Sequence, residues 1–151
     1  MQKIGRIALL ALCSATLLGA CGEPEDTRPG QPVKTRQTAF KEMIKVFEPM
    51  GVMLRGKRYE EEKFLRLATA LHEKRDGPWA HFGPDTNYPP TKATPLVWQE
   101  PERFARQRDG FLKATDELLA AARSKDQARI QAAYDAAYAS CQDCHKPFKT
   151  R

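Results

Sequence analysis

The stretch ASCQDCHKPF, residues 139–148, places two cysteines three positions apart and a histidine directly after the second one, near the end of a chain of 151 residues. The apolar residues that precede it recur at helical spacing, and they are Ile130, Ala133, Tyr134 and Ala137. Because side chains three and four positions apart share one face of a helix, Cys141, Cys144 and His145 are predicted to lie on the inward face of a final helix.

The spacing Cys-x-x-Cys-His has a specific chemical use. Two thiols one helical turn apart can form thioethers with the two vinyl groups of one haem, and the adjacent imidazole then reaches the iron. The sequence therefore predicts one covalently attached haem c, with Cys141 and Cys144 as attachment sites and His145 as the iron ligand.

Three other uses of the cysteine pair fit less well. A redox dithiol is typical of a strand-to-helix junction in a sheet protein. A zinc site needs two more ligands, and only His72 and His81 remain, on separate segments without paired spacing. A disulfide between two residues of one helical turn would constrain the fold very little.

Three further segments with helical periodicity precede this helix. The first has its apolar pattern from Phe40 and is predicted to kink at Pro49, the second spans 59–74, and the third opens at Pro101. No segment alternates apolar and polar residues for long enough to predict a strand. The chain is therefore predicted to be all-α.

The ends of the last helix carry their own signals. Ser124, with Gln127 three residues later, predicts a capping box at its start. Pro147 follows the cysteine motif directly and is predicted to end the helix early.

A long loop separates the second and third helices. Residues 77–98 exceed what a compact domain usually tolerates without a purpose. Trp79, Phe82 and Trp98 are predicted to pack this loop over the helices. One long connection and otherwise short ones predict an antiparallel four-helix bundle.

The first part of the chain is predicted to lie outside the bundle. Residues 1–20 combine a positive start with a short apolar run, which is typical of a signal peptide. LGAC, residues 18–21, is similar to a bacterial lipobox, so lipid is predicted on Cys21. The Pro-rich, polar residues 21–33 are predicted to be a flexible tether, and 34–151 to be the bundle.

The charge of the chain is mild. Its formal net charge is +6 at pH 7, and the basic residues are scattered through every segment. Without a clustered, aromatic-interleaved basic patch, no binding of nucleic acid is predicted.

With four helices and a haem motif on the last of them, the sequence resembles the class II c-type cytochromes, the cytochrome c′ family. The resemblance runs from about Val33 to Phe148 and rests on VKTRQTAFKEM (33–43), GPWAHFGPDT (77–86), TKATPLVW (91–98) and ASCQDCHKPF (139–148). It implies a four-helix bundle with covalently bound haem on its C-terminal helix.

The resemblance also implies haem contacts outside the motif. Arg36 matches the family's distal-helix arginine, which lies near the haem edge and could pair with a propionate in bidentate geometry. Gln37 and Thr91 are further candidates for haem contact. Lys149 stands where the family usually has arginine, so the charge is kept but the planar fork is lost.

The residue that faces the distal side of the iron decides the chemistry in this family. Phe40 occupies that position and cannot donate a lone pair to iron, which implies five-coordinate iron that diatomic ligands reach only by displacing the ring. Met43 lies three residues later on the same face. Ligation by Met43 is the alternative, and it would give a low-spin, six-coordinate electron carrier.

Together these features predict a periplasmic, membrane-tethered cytochrome that binds nitric oxide or another diatomic gas and can exchange electrons. No enzyme activity is predicted, because Gln37, Phe40 and Met43 on the distal helix offer no convincing proton donor. Gly22 provides no inner-membrane retention signal, so an outer-membrane anchor is favoured. The family often forms dimers through its first two helices, which makes a homodimer a candidate assembly, and the redox partner protein stays open.

Overall fold

The computed structural model describes residues 24–150, so the predicted signal peptide and Cys21 lie outside the described residues. Its helical segments, in order, are α1 (Pro32–Arg55), α2 (Glu61–Lys74), a 3₁₀ turn (Trp79–His81), the short α3 (Leu96–Gln99), α4 (Pro101–Ser124) and α5 (Gln127–Phe148). Within the described range there is no strand, only an isolated bridge between Ala93 and Lys149. The prediction of an all-α fold is confirmed.

The four long helices form the predicted antiparallel bundle. α1 packs on α2, α2 on α4 and α4 on α5. Residues 56–60 and 125–126 are connections too short for anything but antiparallel neighbours. α1 meets α5 where the rings of Phe47 and Tyr134 stack, with centroids 4.6 Å apart.

The bundle core is built from the predicted apolar stripes. Five apolar side chains contributed by all four long helices have almost no exposed surface, and they are Met50, Phe64, Leu71, Leu118 and Ile130. Burial of each such side chain contributes about 1.5–3 kcal/mol relative to leaving it in water. None of the helices within residues 24–150 is long and apolar enough to cross a bilayer.

α1 begins earlier than its apolar pattern indicates. Its first residue is Pro32, about two turns before Phe40, where the apolar pattern begins, and the helix runs on through Pro49. The carboxylate of Asp26 accepts hydrogen bonds from the backbone N–H groups of Val33 (2.9 Å) and Lys34 (3.1 Å). These are donors of the first turn that have no partner inside the helix, so a residue well before the helix stabilises its start.

Asp26 also shows that the folded part begins earlier in the chain than predicted. Asp26 is only 1 % exposed, and its other carboxylate oxygen accepts from the backbone of Arg28 (3.2 Å) and the hydroxyl of Tyr88 (2.9 Å). The prediction that the folded part starts near Lys34, after a tether ending at residue 33, is wrong on this point. The packed structure includes Asp26, because its carboxylate binds both the start of α1 and the long loop.

The start of α5 also differs from the prediction. Ser124 is the last residue of α4, and its hydroxyl donates to the carbonyl of Ala121. The N-cap is Asp126, whose carboxylate accepts from the backbone N–H groups of Ala128 (3.0 Å) and Arg129 (3.2 Å). The expected capping box at Ser124 is therefore wrong, and an aspartate two residues later fills the role.

Candidate haem site

Cys141 and Cys144 lie on consecutive turns of α5 as free, half-buried thiols. Cys141 packs against the bundle core. Burial raises the pKa of each thiol to about 11, and for Cys144 the neighbouring Cys141 adds to the effect. Both cysteines are therefore neutral thiols at pH 7, unlike the low-pKa thiolate of a redox dithiol. Among residues 24–150, no three His, Cys, Asp or Glu side chains lie together so that they could hold a metal ion.

His145 is exposed, which corrects the prediction that it lies on the inward face of the helix. His145 lies eight residues after the fully buried Ala137, and eight residues of an α-helix advance by about 80° beyond two full turns. This rotation takes the ring to the edge of the core-facing stripe. Partial desolvation, and then the charge of Lys149, lower the pKa of His145. The neutral imidazole that this favours is the form that binds metal.

A continuous cluster of aromatic rings lies beside the motif. Each ring has a neighbour with a centroid 5.0 to 6.5 Å away, and the members are Phe40, Trp79, Phe82, Trp98, Phe104, Phe111 and Phe148. The predicted packing of the two tryptophans and Phe82 over the helices is confirmed. Phe148 belongs to α5, one turn after Cys144, which joins the cluster to the cysteine motif.

Three members of this aromatic cluster, Phe104, Phe111 and Phe148, are not predicted from the sequence to contact the loop. Phe104 contacts both Phe82 (5.0 Å) and Phe148 (5.3 Å), and Phe111 contacts Trp79 (6.0 Å). The available signal was that α4 carries two phenylalanines about two turns apart on its core side, and that the loop before it is rich in aromatic residues.

The end of α5 is held by the long loop. The helix continues through Pro147 and ends at Phe148, so the prediction that Pro147 ends it early is wrong. The hydroxyl of Thr94 donates to the carbonyl of Pro147 (2.8 Å), and its backbone N–H donates to that of Phe148 (3.0 Å). The loop thus satisfies terminal carbonyl groups that the helix itself leaves without partners.

Arg36 is buried, with only 2 % of its surface exposed, so its charge is not solvated at the surface of the protein. Its Nη1 donates to the carbonyl of His81 (2.7 Å) and the hydroxyl of Thr86 (2.8 Å). Its Nη2 donates to the carbonyl of Thr86 (2.9 Å) and the hydroxyl of Thr91 (2.7 Å). Burial lowers the pKa of Arg36. Since a guanidinium has four terminal N–H groups, a bidentate pair with a propionate through both terminal nitrogens would have to displace part of the loop.

Gln37 and Thr91, the other predicted haem contacts, also hold the loop. The side-chain amide of Gln37 donates to the carbonyl of Pro90 (3.0 Å), and the hydroxyl of Thr91 accepts from the backbone of Ala93 (3.0 Å). Their contact with haem, like that of Arg36, stays a prediction.

The two candidates for the distal side of the iron differ in their surroundings. Phe40 is partly buried, and its ring lies edge-on to Trp79 (5.5 Å) and Phe82 (6.3 Å). Met43 is 5 % exposed and belongs to the hydrophobic core. A core position is the usual role of a methionine on a helix stripe.

The arrangement fits a covalently held haem. Two neutral thiols lie one helical turn apart, an imidazole is next to them, and the aromatic cluster reaches the same helix at Phe148. Thioether formation requires thiols, and a porphyrin requires an apolar lining. Cys141, Cys144 and His145 are therefore the residues that could hold the group.

Comparisons with known proteins give the family. The family model described as Cytochrome C' matches residues 31–149. Cytochrome c' from Rubrivivax gelatinosus is 32 % identical over 126 residues, covering 82 % of this chain and 98 % of the relative. Its crystal structure at pH 8.0 aligns with a TM-score of 0.77 at 30 % identity, covering 83 % of this chain and 99 % of that one.

Two other solved structures agree. Cytochrome c prime from Shewanella frigidimarina aligns with a TM-score of 0.79 at 28 % identity, covering 83 % of this chain and 98 % of the other. A nitric oxide complex of a mutant cytochrome c prime from Alcaligenes xylosoxidans aligns with a TM-score of 0.77 at 29 % identity, covering 84 % and 100 %. The chain thus belongs to the cytochrome c′ family, four-helix bundles that carry a covalently bound c-type haem.

Proposed function

We propose that this protein binds nitric oxide, or another diatomic gas, at a five-coordinate haem held by Cys141, Cys144 and His145. When bound, haem supplies an iron whose sixth coordination position can take such a gas. The observation that carries the proposal is the placement of Phe40, a side chain without a lone pair for iron, in the aromatic cluster at the motif. Related proteins captured with nitric oxide support it.

In this proposal Phe40 limits access by its bulk. Trp79 and Phe82 contact its ring, so the ring has little room to turn away. Small diatomic ligands need a small displacement of the ring, whereas larger ligands need a large one. Size selection therefore follows from packing and requires no hydrogen-bond donor.

Optical spectra of the reduced and oxidised protein, with and without nitric oxide, test the proposal. The reduced protein should have a high-spin, five-coordinate spectrum that changes on addition of nitric oxide. Met43→Leu should leave the spectrum unchanged. Met50→Leu is the matched control, because Met50 lies on α1 as well and is also buried.

A low-spin, six-coordinate spectrum that Met43→Leu abolishes and Met50→Leu preserves would overturn the proposal. It would establish the His/Met-ligated electron-transfer cytochrome instead. Both the five-coordinate form and the His/Met-ligated form can exchange electrons. An electron-transfer assay alone therefore does not distinguish them.

We propose no enzymatic turnover for this site. A peroxidase needs an acid-base residue beside the iron, and His72 is instead bound to Asp116 across the α2–α4 seam, with Nε2 and Oδ1 3.0 Å apart. Peroxide turnover should stay at the level of free haem. A steady-state rate far above that level would contradict this part of the proposal.

We propose that the protein is periplasmic and tethered to the outer membrane by lipid on Cys21. The support is the resemblance of residues 18–21 to a lipobox. Cys21→Ser should release the protein from the membrane fraction, and mass spectrometry should find the diacylglyceryl mass on the wild-type N-terminus only. Recovery of both proteins in the soluble fraction would exclude the anchor.

We further propose a homodimer formed through α1 and α2. Ile44 and Val52 on α1 are large apolar side chains with 47 % and 63 % of their surface exposed, which is typical of an interface. Val52→Glu should shift the protein to the mass of a monomer in light scattering, whereas an exposed charge change elsewhere, Glu117→Lys, should not. A monomeric wild type would rule the dimer out.

A further inference from the structure

A buried guanidinium of α1 makes four of the hydrogen bonds that attach the long loop to this helix. Arg36 donates its four hydrogen bonds to His81, Thr86 and Thr91, at distances between 2.7 and 2.9 Å. These partners are 45 to 55 residues away along the chain. The acceptors are two hydroxyls and two carbonyls.

The same guanidinium lies over the ring of Phe82, 4.5 Å from its centroid. Phe82 also contacts Phe40 (6.3 Å) and Phe104 (5.0 Å). The ring of Phe82 is therefore held between Arg36 on one side and the aromatic cluster on the other. Any outward movement of the loop would take Phe82 away from Phe40.

We propose that Arg36, Thr86 and Thr91 form a positioning network that fixes Phe82 against Phe40 and so sets how fast a diatomic ligand enters. The inference rests on the proposed function, because Phe40 must be the side chain that a ligand displaces. None of the three residues needs to touch the ligand. They act by limiting the room into which the ring of Phe40 can move.

The test uses the reduced holoprotein, with carbon monoxide as the probe. Thr86→Val keeps the shape of the side chain but removes the hydroxyl that accepts from Arg36 and donates to the carbonyl of Gly83. Two readouts are compared: the association rate of carbon monoxide by stopped flow, and amide hydrogen exchange of residues 81–91. Both should increase about tenfold, which corresponds to about 1.4 kcal/mol, the order of one hydrogen bond to a charged group. Thr86→Ser, which restores the hydroxyl, should return both rates to those of the wild type.

Thr115→Val is the matched control. Thr115 is 1 % exposed and accepts a hydrogen bond from Arg75 (3.0 Å), so the same type of buried contact is lost, but on α4. It should leave both rates unchanged. If Thr115→Val accelerates carbon monoxide binding as much as Thr86→Val does, the effect is general loosening and the inference is wrong.

A double-mutant cycle locates the effect at Phe40. In Phe40→Ala the obstructing ring is absent, so adding Thr86→Val should accelerate binding no further. Additive effects of the two changes would overturn the inference, as would faster loop exchange with an unchanged binding rate, or unchanged loop exchange. A low-spin, six-coordinate wild type would overturn the proposed function itself, whereas failure of this inference alone leaves carbon monoxide binding by the wild type intact.

Discussion

The two ends of the bundle are closed by different interactions. At the motif end, formed by the start of α1, the end of α5 and loop 77–98, buried polar groups hold the loop: Arg36 and Asp26 are 2 % and 1 % exposed. At the far end, the connections 56–60 and 125–126 are short, and the nearby helices meet through apolar and aromatic packing. Changes at the motif end should therefore alter haem chemistry, whereas changes at the far end should alter stability alone.

The largest expected effect is loss of the haem at the motif end. Removing both thiols, in Cys141→Ala with Cys144→Ala, leaves no group that can form a thioether. Protein made in cells competent in cytochrome maturation should then release all of its haem on acid-acetone extraction, whereas the wild type releases none. Ser140→Ala, next to the motif, should retain the haem. Covalent haem in the double variant would contradict the assignment of both cysteines.

The second effect belongs to the far half of the bundle. Gly51 on α1 approaches Tyr134 of α5 so closely that an added Cβ would overlap the tyrosine hydroxyl. Gly51→Ala should therefore lower the free energy of unfolding by about 1–3 kcal/mol, the usual cost of overpacking, in chemical denaturation. The haem content should not change.

Gly110 provides the control for that substitution. It lies inside α4 with open space around its Cβ position, so Gly110→Ala should raise stability by about 0.5–1 kcal/mol through helix propensity. If Gly51→Ala raises stability as much as Gly110→Ala does, the α1–α5 contact at Tyr134 is too loose to be overpacked by one methyl group.

A smaller effect is expected at the start of α5. Asp126→Ala removes the side chain that caps the helix and should cost about 1 kcal/mol, measured by thermal unfolding. Ser124→Ala, at the position where the sequence predicts the cap, should cost clearly less. A larger loss of stability in Ser124→Ala than in Asp126→Ala would indicate that Ser124 caps α5 after all.

What could be predicted from the sequence is what depends on neighbours along the chain. The four long helices and the Cys-x-x-Cys-His motif follow from apolar periodicity and spacing, which operate within a few residues. The cap of α5 was misassigned because Ser124 and Asp126 are both good capping residues. The backbone decides between them, since Lys125 ends α4 in the left-handed conformation with φ 62°.

The contacts that close the motif end could not be predicted in the same way. The hydroxyl of Tyr88 donates to Asp26 across 62 residues of sequence, and Arg36 reaches Thr91 across 55. Composition alone made residues 21–33 look like a tether, because prolines and acidic residues bury little apolar surface. The buried carboxylate of Asp26 makes part of this segment belong to the packed structure. The hydrophobic periodicity of the sequence does not indicate this contact.

The smallest expected effect tests this carboxylate by its pH dependence. Burial acts to raise the pKa of Asp26, but hydrogen bonds from Lys34, Tyr88, Arg28 and Val33 outweigh it and leave the pKa below its ordinary value. A depressed folded-state pKa contributes stability that is present above the unfolded value of about 3.9 and is lost as the pH falls through the folded value. Tyr88→Phe removes one of these hydrogen bonds, so the contribution should shrink and disappear at a higher pH.

Unfolding measured by circular dichroism between pH 7 and pH 3 should reveal this as an acid transition that begins at higher pH in Tyr88→Phe than in the wild type. Tyr138→Phe, at an exposed tyrosine of α5, is the control and should follow the wild type. Because Asp26 holds both the start of α1 and the loop, Tyr88→Phe should also accelerate amide exchange in residues 81–91. Identical acid transitions for all three proteins would mean that the carboxylate does not close the motif end, and the contrast between the two ends would then rest on Arg36 alone.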